Sequence, residues 1–233
     1  MTFTSLASSS RGNAYVVSDG ETTLLLECGL TFKELQKRLG YGVAGITACL
    51  VSHEHQDHAK AAAQLLKSGV PVYMSEGTAA AHKDAMDAAN LIKVGEVLRF
   101  GHLTVVPFRT HHNVEEPLGF LIEDGRTKER LLWAVDTANL GVTADRLTYI
   151  AVECNYEESL LNRSDRIPSV LKERIRHSHF EVSDVIKWLH KQDLSGVLTI
   201  WLLHLSAGNS RAEAWQRRFE REFPGITIRI CEE

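Results

Sequence analysis

The stretch LVSHEHQDHAKA, residues 50–61, begins with the apolar residues of a strand and ends with those of a helix. Imidazole and carboxylate groups crowd the turn between them, and these are the donors that Zn²⁺, Mn²⁺ and iron ions accept. Residues two apart on an extended segment point the same way, so His53 and His55 are expected to face one ion. Asp57 and His58, at the turn into the helix, are expected to face a second. The stretch therefore predicts two metal sites at the end of a strand.

Predicted strands and helices alternate on both sides of this turn. Apolar and β-branched runs predict strands, and apolar residues at helical spacing next to Gly or Ser end signals predict helices. The middle of the chain has short β runs separated by turns, as in an antiparallel or mixed sheet. The alternation predicts a layered α/β fold. The predicted strands include AYVVSDGETTLLLECG with a turn at Asp19-Gly20, ITACLVS, VPVYM, GVLTIWLLH and ITIRICE; the predicted helices are TFKELQKRLG, HAKAAAQLLKSG, SEGTAAAHKDAMDAAN with Ser75 as its cap, LKERIRHSH, SDVIKWLHKQ and SRAEAWQRRFERE.

The whole chain sets limits on domain number and environment. Its 233 residues contain no linker, repeat or low-complexity run, which predicts a single domain over residues 1–233. The N-terminus lacks a secretory pattern and no apolar run is long enough to span a bilayer, so a soluble cytoplasmic protein without membrane contacts is expected. A formal net charge of −4 argues against a broadly basic nucleic-acid-coating surface but leaves room for a local cationic cleft. Four cysteines far apart within apolar runs predict buried free thiols: Cys28, Cys49, Cys154 and Cys231.

Further ligand-type side chains follow three later strands. His111 and His112 come after LTVVPFRT, Asp136 after RLLWAV and His204 after VLTIWLL. Metal ligands cluster where strands end, because the sheet fixes the backbone while the loop leaves the side chain free to bind. Taken singly, Asp136 is equally well explained by a buried salt bridge and His204 by a core or capping role. Together with the turn at residues 53–58, they predict two complete metal sites.

The order of these motifs resembles that of the metallo-β-lactamase superfamily. Its members have an H-x-H-x-D-H turn followed by one His, one Asp and one His at successive strand ends, and the likeness covers nearly the whole chain. It implies an α/β fold, the four-layer αββα sandwich of the metallo-β-lactamase type, with a dinuclear metal site at the sheet edge. The segments SLASSSRGNAYVV, HHNVEEPLGF, ECNY and HLSAGN further resemble the small WalJ/YycJ-like exonucleases.

The resemblance assigns two divalent ions per chain, Zn or Mn with Fe also acceptable, and a set of ligands for each. His112 is preferred to His111 because it stands immediately before the run that leads to the proline, NVEEP. The implied ligands are His53, His55 and His112 for one ion, Asp57, His58 and His204 for the other, and Asp136 as a bridge between the two.

Two positions depart from the superfamily pattern. Glu27 stands where a strand-end aspartate is usual, and Ser9 where the N-terminal opening usually has glycine. The longer carboxylate of Glu27 is expected to shift a hydrogen bond behind the metal ligands without removing a ligand.

The segment NRSDRIPSVLKERIRHSHFEVSD carries a local excess of three positive charges between Asn162 and His179. A solvated helix face explains this excess as well, and the SSSRGN turn is equally well a plain polar turn. Ser178-His179 resembles the step that precedes a helix in nuclease members, which implies that His179 approaches the scissile phosphate or its leaving group and that a helix N-terminus adds donors for an anion. The expected catalytic residues are Asp57 and His179, and the expected substrate-binding residues are Ser10, Arg11, Asn13, Asn155, Arg174, Arg176 and Ser178.

Several hydrolytic functions are compatible with these residues. Two ions about 3.5–4 Å apart lower the pKa of a bridging water and clamp the attacking and leaving oxygens, whether the substrate is a phosphodiester, a thioester or a lactone. The resemblance favours a phosphodiesterase, a 5′→3′ exonuclease in which a metal-bridging hydroxide attacks phosphorus in DNA. The alternatives are a small-molecule hydrolase of the glyoxalase-II, lactonase or cyclic-nucleotide phosphodiesterase type, and a binding module that keeps the turn for structure. The length leaves no room for the strand-clamping domain of larger members, so the grip on DNA is expected to come from the core domain or a homodimer partner.

Overall fold

The structure, a computed structural model, describes residues 1–82 and 86–231. Its contacts divide it into two compact units. The first unit holds Met1–Arg109 and Val114–Glu129, and the second holds Thr110–Asn113 and the described residues from Arg130 onward. None of the helices in the described residues combines the length and the apolar character that a bilayer crossing needs. The prediction of a single domain over residues 1–233 stays a prediction.

A six-stranded sheet forms the centre of the first unit, in the order β1-β2-β3-β4-β5-β6. The pairs β1-β2 and β2-β3 are antiparallel, and the pairs from β3 to β6 are parallel. Three further strands of this unit, β7 to β9, pair antiparallel in that order. The strands are Thr2–Ser9 (β1), Gly12–Ser18 (β2), Thr23–Leu26 (β3), Ala48–Leu50 (β4), Val72–Met74 (β5), Asn90–Leu91 (β6), Leu98–Phe100 (β7), Leu103–Arg109 (β8) and Leu118–Asp124 (β9).

Two helices of the first unit begin at side-chain caps, at Thr31 and Ser75, and helices of this unit pack on the sheet through their apolar faces. The Ser75 hydroxyl accepts the amide of Thr78 at 3.2 Å, which confirms the predicted cap. Leu35 and Leu65, from two of the helices, belong to one buried cluster with residues of β3, β4 and β5. All four cysteines are free and buried, as predicted. The helical segments are Phe32–Arg38 (α1), a 3₁₀ turn at Val43–Gly45, Gln56–Ala59 (α2), Ala62–Lys67 (α3) and Glu76–Ala81 (α4).

The single helix predicted for HAKAAAQLLKSG is in fact two short helices, α2 and α3. The backbone between them bonds to the strand-end segment at Cys28: the amide of Cys28 donates to the His58 carbonyl at 2.8 Å, and the amide of Ala61 donates to the Cys28 carbonyl at 2.9 Å. These hydrogen bonds take the place of the backbone bonds that a continuous helix would form. Glycine is required at position 29, because an added Cβ would lie 1.6 Å from the Asp57 carbonyl oxygen. The chain after the histidines is therefore held against the end of β3.

The helix predicted for SEGTAAAHKDAMDAAN is also shorter than expected. It ends at Ala81, with His82 as its C-cap residue, and Asn90 at the far end of the predicted helix begins β6 instead. Positions 83–85 of this prediction lie outside the described residues.

Four strands of the second unit run parallel, in the order β10-β11-β12-β13. The ends of adjacent parallel strands meet at one edge of a sheet, so side chains at or just after those ends come close together. The strands are Arg130–Ala134 (β10), Tyr149–Glu153 (β11), Thr199–Leu203 (β12) and Thr227–Ile230 (β13), and the helices are Glu158–Arg163 (α5), Ser169–Ser178 (α6), Val182–Leu189 (α7) and Ala212–Glu222 (α8).

Candidate active site

The turn after β4 gathers three histidines and an aspartate in the first unit. His53 is buried, and its Nε2 lies 3.0 Å from Nδ1 of His55. The ring of His58, also buried, lies 4.1 Å from the ring of His53 between centroids. Asp57 and His58 sit in the first turn of α2, and the Asp57 carboxylate is 3.4 Å from Nε2 of His58. The predicted ligands of this turn therefore lie side by side.

Glu27 supports this turn from behind. It is fully buried just after β3, one carboxylate oxygen accepts the amide of Ser52 at 3.0 Å, and the other lies 3.6 Å from Nδ1 of His58. Its backbone has a φ of +64°, a left-handed conformation that is uncommon outside glycine. Burial raises the pKa of Glu27. The longer side chain thus orients His58, in keeping with the role expected for a residue behind the ligands.

Asn13 is fully buried and also contacts the turn. Its amide nitrogen donates to the Asp57 carbonyl at 3.3 Å and to the Ser9 carbonyl at 3.1 Å, and it lies 3.3 Å from Nε2 of His58. Ser10 and Arg11, by contrast, are exposed at the turn between β1 and β2. Of the three residues predicted to bind substrate there, Asn13 is occupied in holding the histidine turn.

The second unit contains His112, Asp136 and His204, which follow β8, β10 and β12 in the chain. Nδ1 of His204 lies 2.8 Å from one oxygen of Asp136, and Nε2 of His112 lies 3.5 Å from the other. Asp136 and His204 have φ values of +46° and +54°. Strained left-handed residues cluster at functional sites, and here the conformation occurs just after β10 and just after β12, the two strands that flank β11. Like Glu27, both residues are buried where a strand stops.

Sequence reasoning missed Glu153, the last residue of β11. It is fully buried, and one carboxylate oxygen lies 2.7 Å from Nδ1 of His179 and 3.1 Å from Nδ1 of His204. The other oxygen accepts the backbone amides of Thr137 at 2.8 Å and Phe180 at 3.3 Å. Glu153 could have been found by the signal that identified Asp136, which is an acidic residue at the end of a buried strand.

The charges in this part of the second unit are strongly coupled. Burial favours the neutral imidazole of His204, but the Asp136 and Glu153 carboxylates outweigh burial and raise the pKa of His204 to about 10. Burial is likewise outweighed at His179, mainly by Glu153, so the pKa of His179 is raised. Burial opposes ionisation of Glu153, yet the neighbouring His179 holds the Glu153 pKa below its usual value. The surroundings of His179 and His204 therefore favour the protonated, positively charged imidazoles.

The sequence of the chain is similar to those of known proteins. The profile of the beta-lactamase superfamily domain matches residues 22–200. The chain belongs to the metallo-β-lactamase superfamily. It is 30% identical over 229 residues to the exodeoxyribonuclease YycJ of Bacillus anthracis, covering 91% of this chain and 84% of that protein. It is 25% identical over 229 residues to the exodeoxyribonuclease WalJ of Streptococcus pneumoniae, covering 89% and 82%.

The fold of the chain is that of the superfamily as well. The crystal structure of the metallo-β-lactamase fold protein YhfI from Bacillus subtilis matches with a TM-score of 0.73 at 17% identity, covering 99% of this chain and 96% of that one. At that identity the match shows the fold alone. The predicted α/β class of the metallo-β-lactamase type is therefore confirmed. The superfamily match and the Bacillus anthracis relative confirm the prediction that the chain is a hydrolase.

The residues of the second unit fit the divalent ions that this superfamily implies. Asp136, Glu153, His179 and His204 offer ligand atoms that all lie within 4.8 Å of one another. A carboxylate and an imidazole such as those of Asp136 and His204 are donors that Zn²⁺, Mn²⁺ and Fe²⁺ accept. The Asp136 and Glu153 carboxylates lie 2.8 Å and 3.1 Å from Nδ1 of His204, so negative charge is concentrated where a cation would bind.

Asn155 and Ser178, both predicted to bind substrate, instead contact two of the histidines that are predicted to bind metal. The side-chain amide of Asn155 donates to the His204 carbonyl at 2.8 Å. The carbonyl of Ser178 lies 2.8 Å from Nδ1 of His112 and accepts its proton, which leaves Nε2 of His112 for a ligand. Asn155 and Ser178 are both buried.

The first backbone amides of the helix that follows Ser178-His179 already have partners within the chain. Ser178 is the last residue of α6 and His179 its C-cap, so this step lies at a helix C-terminus. The next helix, α7, begins at Val182, and the Glu181 carboxylate already accepts its first amides, those of Ser183 and Asp184. That part of the prediction is wrong, because a neighbouring side chain fills the place of the anion.

The two predicted cations of α6 differ in their surroundings. Arg174 is exposed. Arg176 donates to Glu158 at 2.8 Å and also contacts Glu173 and the Asn162 side chain. Its guanidinium is thus already neutralised by carboxylates, whereas that of Arg174 faces solvent.

Proposed function

We propose that this superfamily member is a dinuclear metal-dependent phosphodiesterase, a 5′→3′ exonuclease that acts on DNA. The observation that carries the proposal is the pair formed by Glu153 and His179 next to Asp136 and His204. A metal centre alone would serve many substrates, but an additional anchored imidazole beside it suits a phosphodiester, whose leaving alkoxide needs a proton.

The metal ligands that we propose are the seven implied by the sequence. Two divalent ions would supply an activated water and neutralise the charge that develops on the phosphate. The chain's own residues hold the donors in place. Glu27 and Asn13 contact His58, and Ser178 and Asn155 contact His112 and His204. The proposed ligands are His53, His55, Asp57, His58, His112, Asp136 and His204.

His179 is the residue that we propose to act on the leaving group. Nδ1 of His179 is committed to Glu153 at 2.7 Å, so Nε2 is the nitrogen that remains for substrate. As the bond from phosphorus to the leaving 3′-oxygen breaks, Nε2 donates its proton to that oxygen, and the product leaves as an alcohol. Glu153 stabilises the protonated ring and fixes its orientation, which makes it a positioning residue.

The choice of DNA is supported by the relatives rather than by the metal centre. The two relatives described above carry the name exodeoxyribonuclease and align over most of their own length. The direction of digestion rests on the sequence resemblance. The cationic segment around α6 supplies exposed guanidinium groups in a chain whose net charge is −4.

A panel of substrates tests this proposal. Turnover of a 5′-phosphorylated DNA strand is compared with that of the matching RNA, a hydroxyacyl thioester and a lactone, with Mn²⁺ and Zn²⁺ supplied separately. We expect mononucleotides to be released from the 5′ end of DNA, at a rate well above the turnover of the other three. The Asp57→Ala protein, purified in parallel, controls for contaminating nuclease. Faster turnover of the thioester or the lactone would replace the proposal with a small-molecule hydrolase.

A further inference from the structure

Helix α6 is exposed along almost its whole length. Ser178 is the only one of its ten residues that is buried. Its first turn nevertheless carries two apolar side chains in solvent: Val170 is 82% exposed and Leu171 is 43% exposed. A helix that contributes so little to the core has no need of apolar residues at its tip for folding. The tip is therefore an apolar surface that is open to a partner.

Four cations lie close to this apolar tip in the sequence. Arg163, Arg166, Lys172 and Arg174 lie in or next to α5 and α6, and within residues 1–82 and 86–231 none of the four forms an ion pair with an acidic group. Lys172 donates to the Asn162 carbonyl at 2.9 Å, which ties α6 to the end of α5. The four positive charges are thus available to an anion, unlike that of Arg176.

The opposite end of α6 reaches the candidate active site. His179 caps the helix, and the Ser178 carbonyl contacts His112. At 1.5 Å per residue, the helix places Val170 and Leu171, nine and eight residues before His179, about 12–14 Å from it. A helically stacked strand rises about 3.4 Å per nucleotide, so this distance corresponds to about four nucleotides.

We propose that α6 is an arm that holds the substrate strand about four nucleotides from the bond that is cut. The four cations contact phosphates, and Val170 and Leu171 pack against the faces of bases. An apolar pair flanked by unpaired cations complements a nucleic-acid strand, which presents apolar base faces beside an anionic backbone. This inference rests on the proposed function, since it supposes that the active site cuts a nucleic-acid strand.

The test is the dependence of kcat/KM on strand length, measured with 5′-phosphorylated oligonucleotides of two to eight nucleotides. In the unmodified protein we expect kcat/KM to rise with length and to level off after about five nucleotides. The V170S/L171S double variant should lose roughly fivefold in kcat/KM on the longer strands, and so flatten the rise. The R163Q/R166Q double variant should reduce the slope of log Kd against log salt by about 1.4, or about 0.7 per lost phosphate contact.

Lys187→Gln provides a matched control. Lys187 is an exposed cation of α7 that pairs with Asp184, so its loss should leave both the length dependence and the salt slope unchanged. Thermal midpoints of all variants check that the fold is kept, as expected for exposed positions.

The outcomes are distinguishable. No hydrolysis of any strand by the unmodified protein would remove the proposed function itself. Hydrolysis at a rate independent of length would keep that function and overturn the arm. The arm would also be overturned if V170S/L171S kept the full length dependence while converting a dimer into a monomer in light scattering, because the tip would then bind a second copy of the chain.

Discussion

Two regions of the molecule carry the proposed ligands, and they are built in opposite ways. In the first unit, His53, His55, Asp57 and His58 come from one turn between β4 and α2. In the second, the ligand-type groups come from separate strand ends and a helix end, spread over residues 112–204. The first region is local in sequence and the second is assembled by topology. The ligands of a local region can be recognised from the sequence alone. Some members of an assembled region can be recognised only in the structure.

The loss of one residue from the local region should have the largest effect. Asp57→Ala and His58→Ala are expected to abolish hydrolysis while leaving the fold largely intact, because each removes a proposed ligand from a strand-end turn. Activity on a 5′-phosphorylated strand, metal content and the circular-dichroism spectrum are the measurements.

His102→Ala is the control for these variants, since His102 is a half-exposed residue of the same unit that pairs with Glu21. Full activity in Asp57→Ala or His58→Ala would show that the local region is not part of the active site.

In the assembled region, the corresponding test is His179. His179→Ala should lower kcat on DNA by roughly 10²–10⁴-fold, the usual scale for loss of a general acid, with its metal ions still bound. His177→Ala is the matched control, because His177 lies two residues earlier and its side chain is 82% exposed. An unchanged kcat in His179→Ala, with metal content intact, would refute the role assigned to it and favour a small-molecule substrate.

Glu153 tests whether a residue that was given no role from the sequence matters for activity. Glu153→Gln keeps the shape of the side chain, but its amide nitrogen cannot accept a hydrogen bond, so two of the four contacts now made to the carboxylate are lost. We expect kcat to fall by roughly 10–100-fold, the scale for a residue that orients a ligand, with KM nearly unchanged. Measurement of kcat, KM and metal content separates this role from a structural one. Wild-type kinetics in a folded Glu153→Gln protein would count against the positioning role.

Substitution of the two arginines of α6 should have the smallest effects. One substitution should change DNA binding and the other should change stability. Arg174→Gln is expected to reduce the slope of log Kd against log salt by about 0.7 without changing stability. Arg176→Gln breaks a partly exposed ion pair with Glu158, so it should lower the free energy of unfolding slightly and leave the slope unchanged. Salt-dependent binding and urea denaturation measure the two quantities. A change of slope in Arg176→Gln alone would reverse this assignment.

Much of the fold could be predicted because its signals are local. The strands on either side of Asp19-Gly20 and helices α1, α6, α7 and α8 lie where the apolar periodicity and end residues indicated. Strand β1 was not predicted, since its small polar residues carry no alternating pattern and its pairing with β2 is a tertiary property. The break between α2 and α3 depends on hydrogen bonds to Cys28, which is distant in sequence.

The residues of the candidate site also divide into those that local signals predicted and those that depend on distant contacts. The histidine turn and the strand ends at Asp136 and His204 could be recognised from residue type and position. The roles of Asn155 and Ser178 could not, because each acts through a contact with a histidine far away in the sequence. The helix N-terminus expected near His179 was wrong for a related reason: only the structure shows that Glu181 caps α7.

The number of metal ions needed for activity tests the central claim most directly. Chelator-treated protein is titrated with Mn²⁺ while hydrolysis of a short 5′-phosphorylated strand is followed, with bound metal measured in parallel. The account predicts no hydrolysis before Mn²⁺ is added and full activity only when two ions are bound per chain. Full activity with one bound ion, or hydrolysis by the metal-free protein, would contradict it.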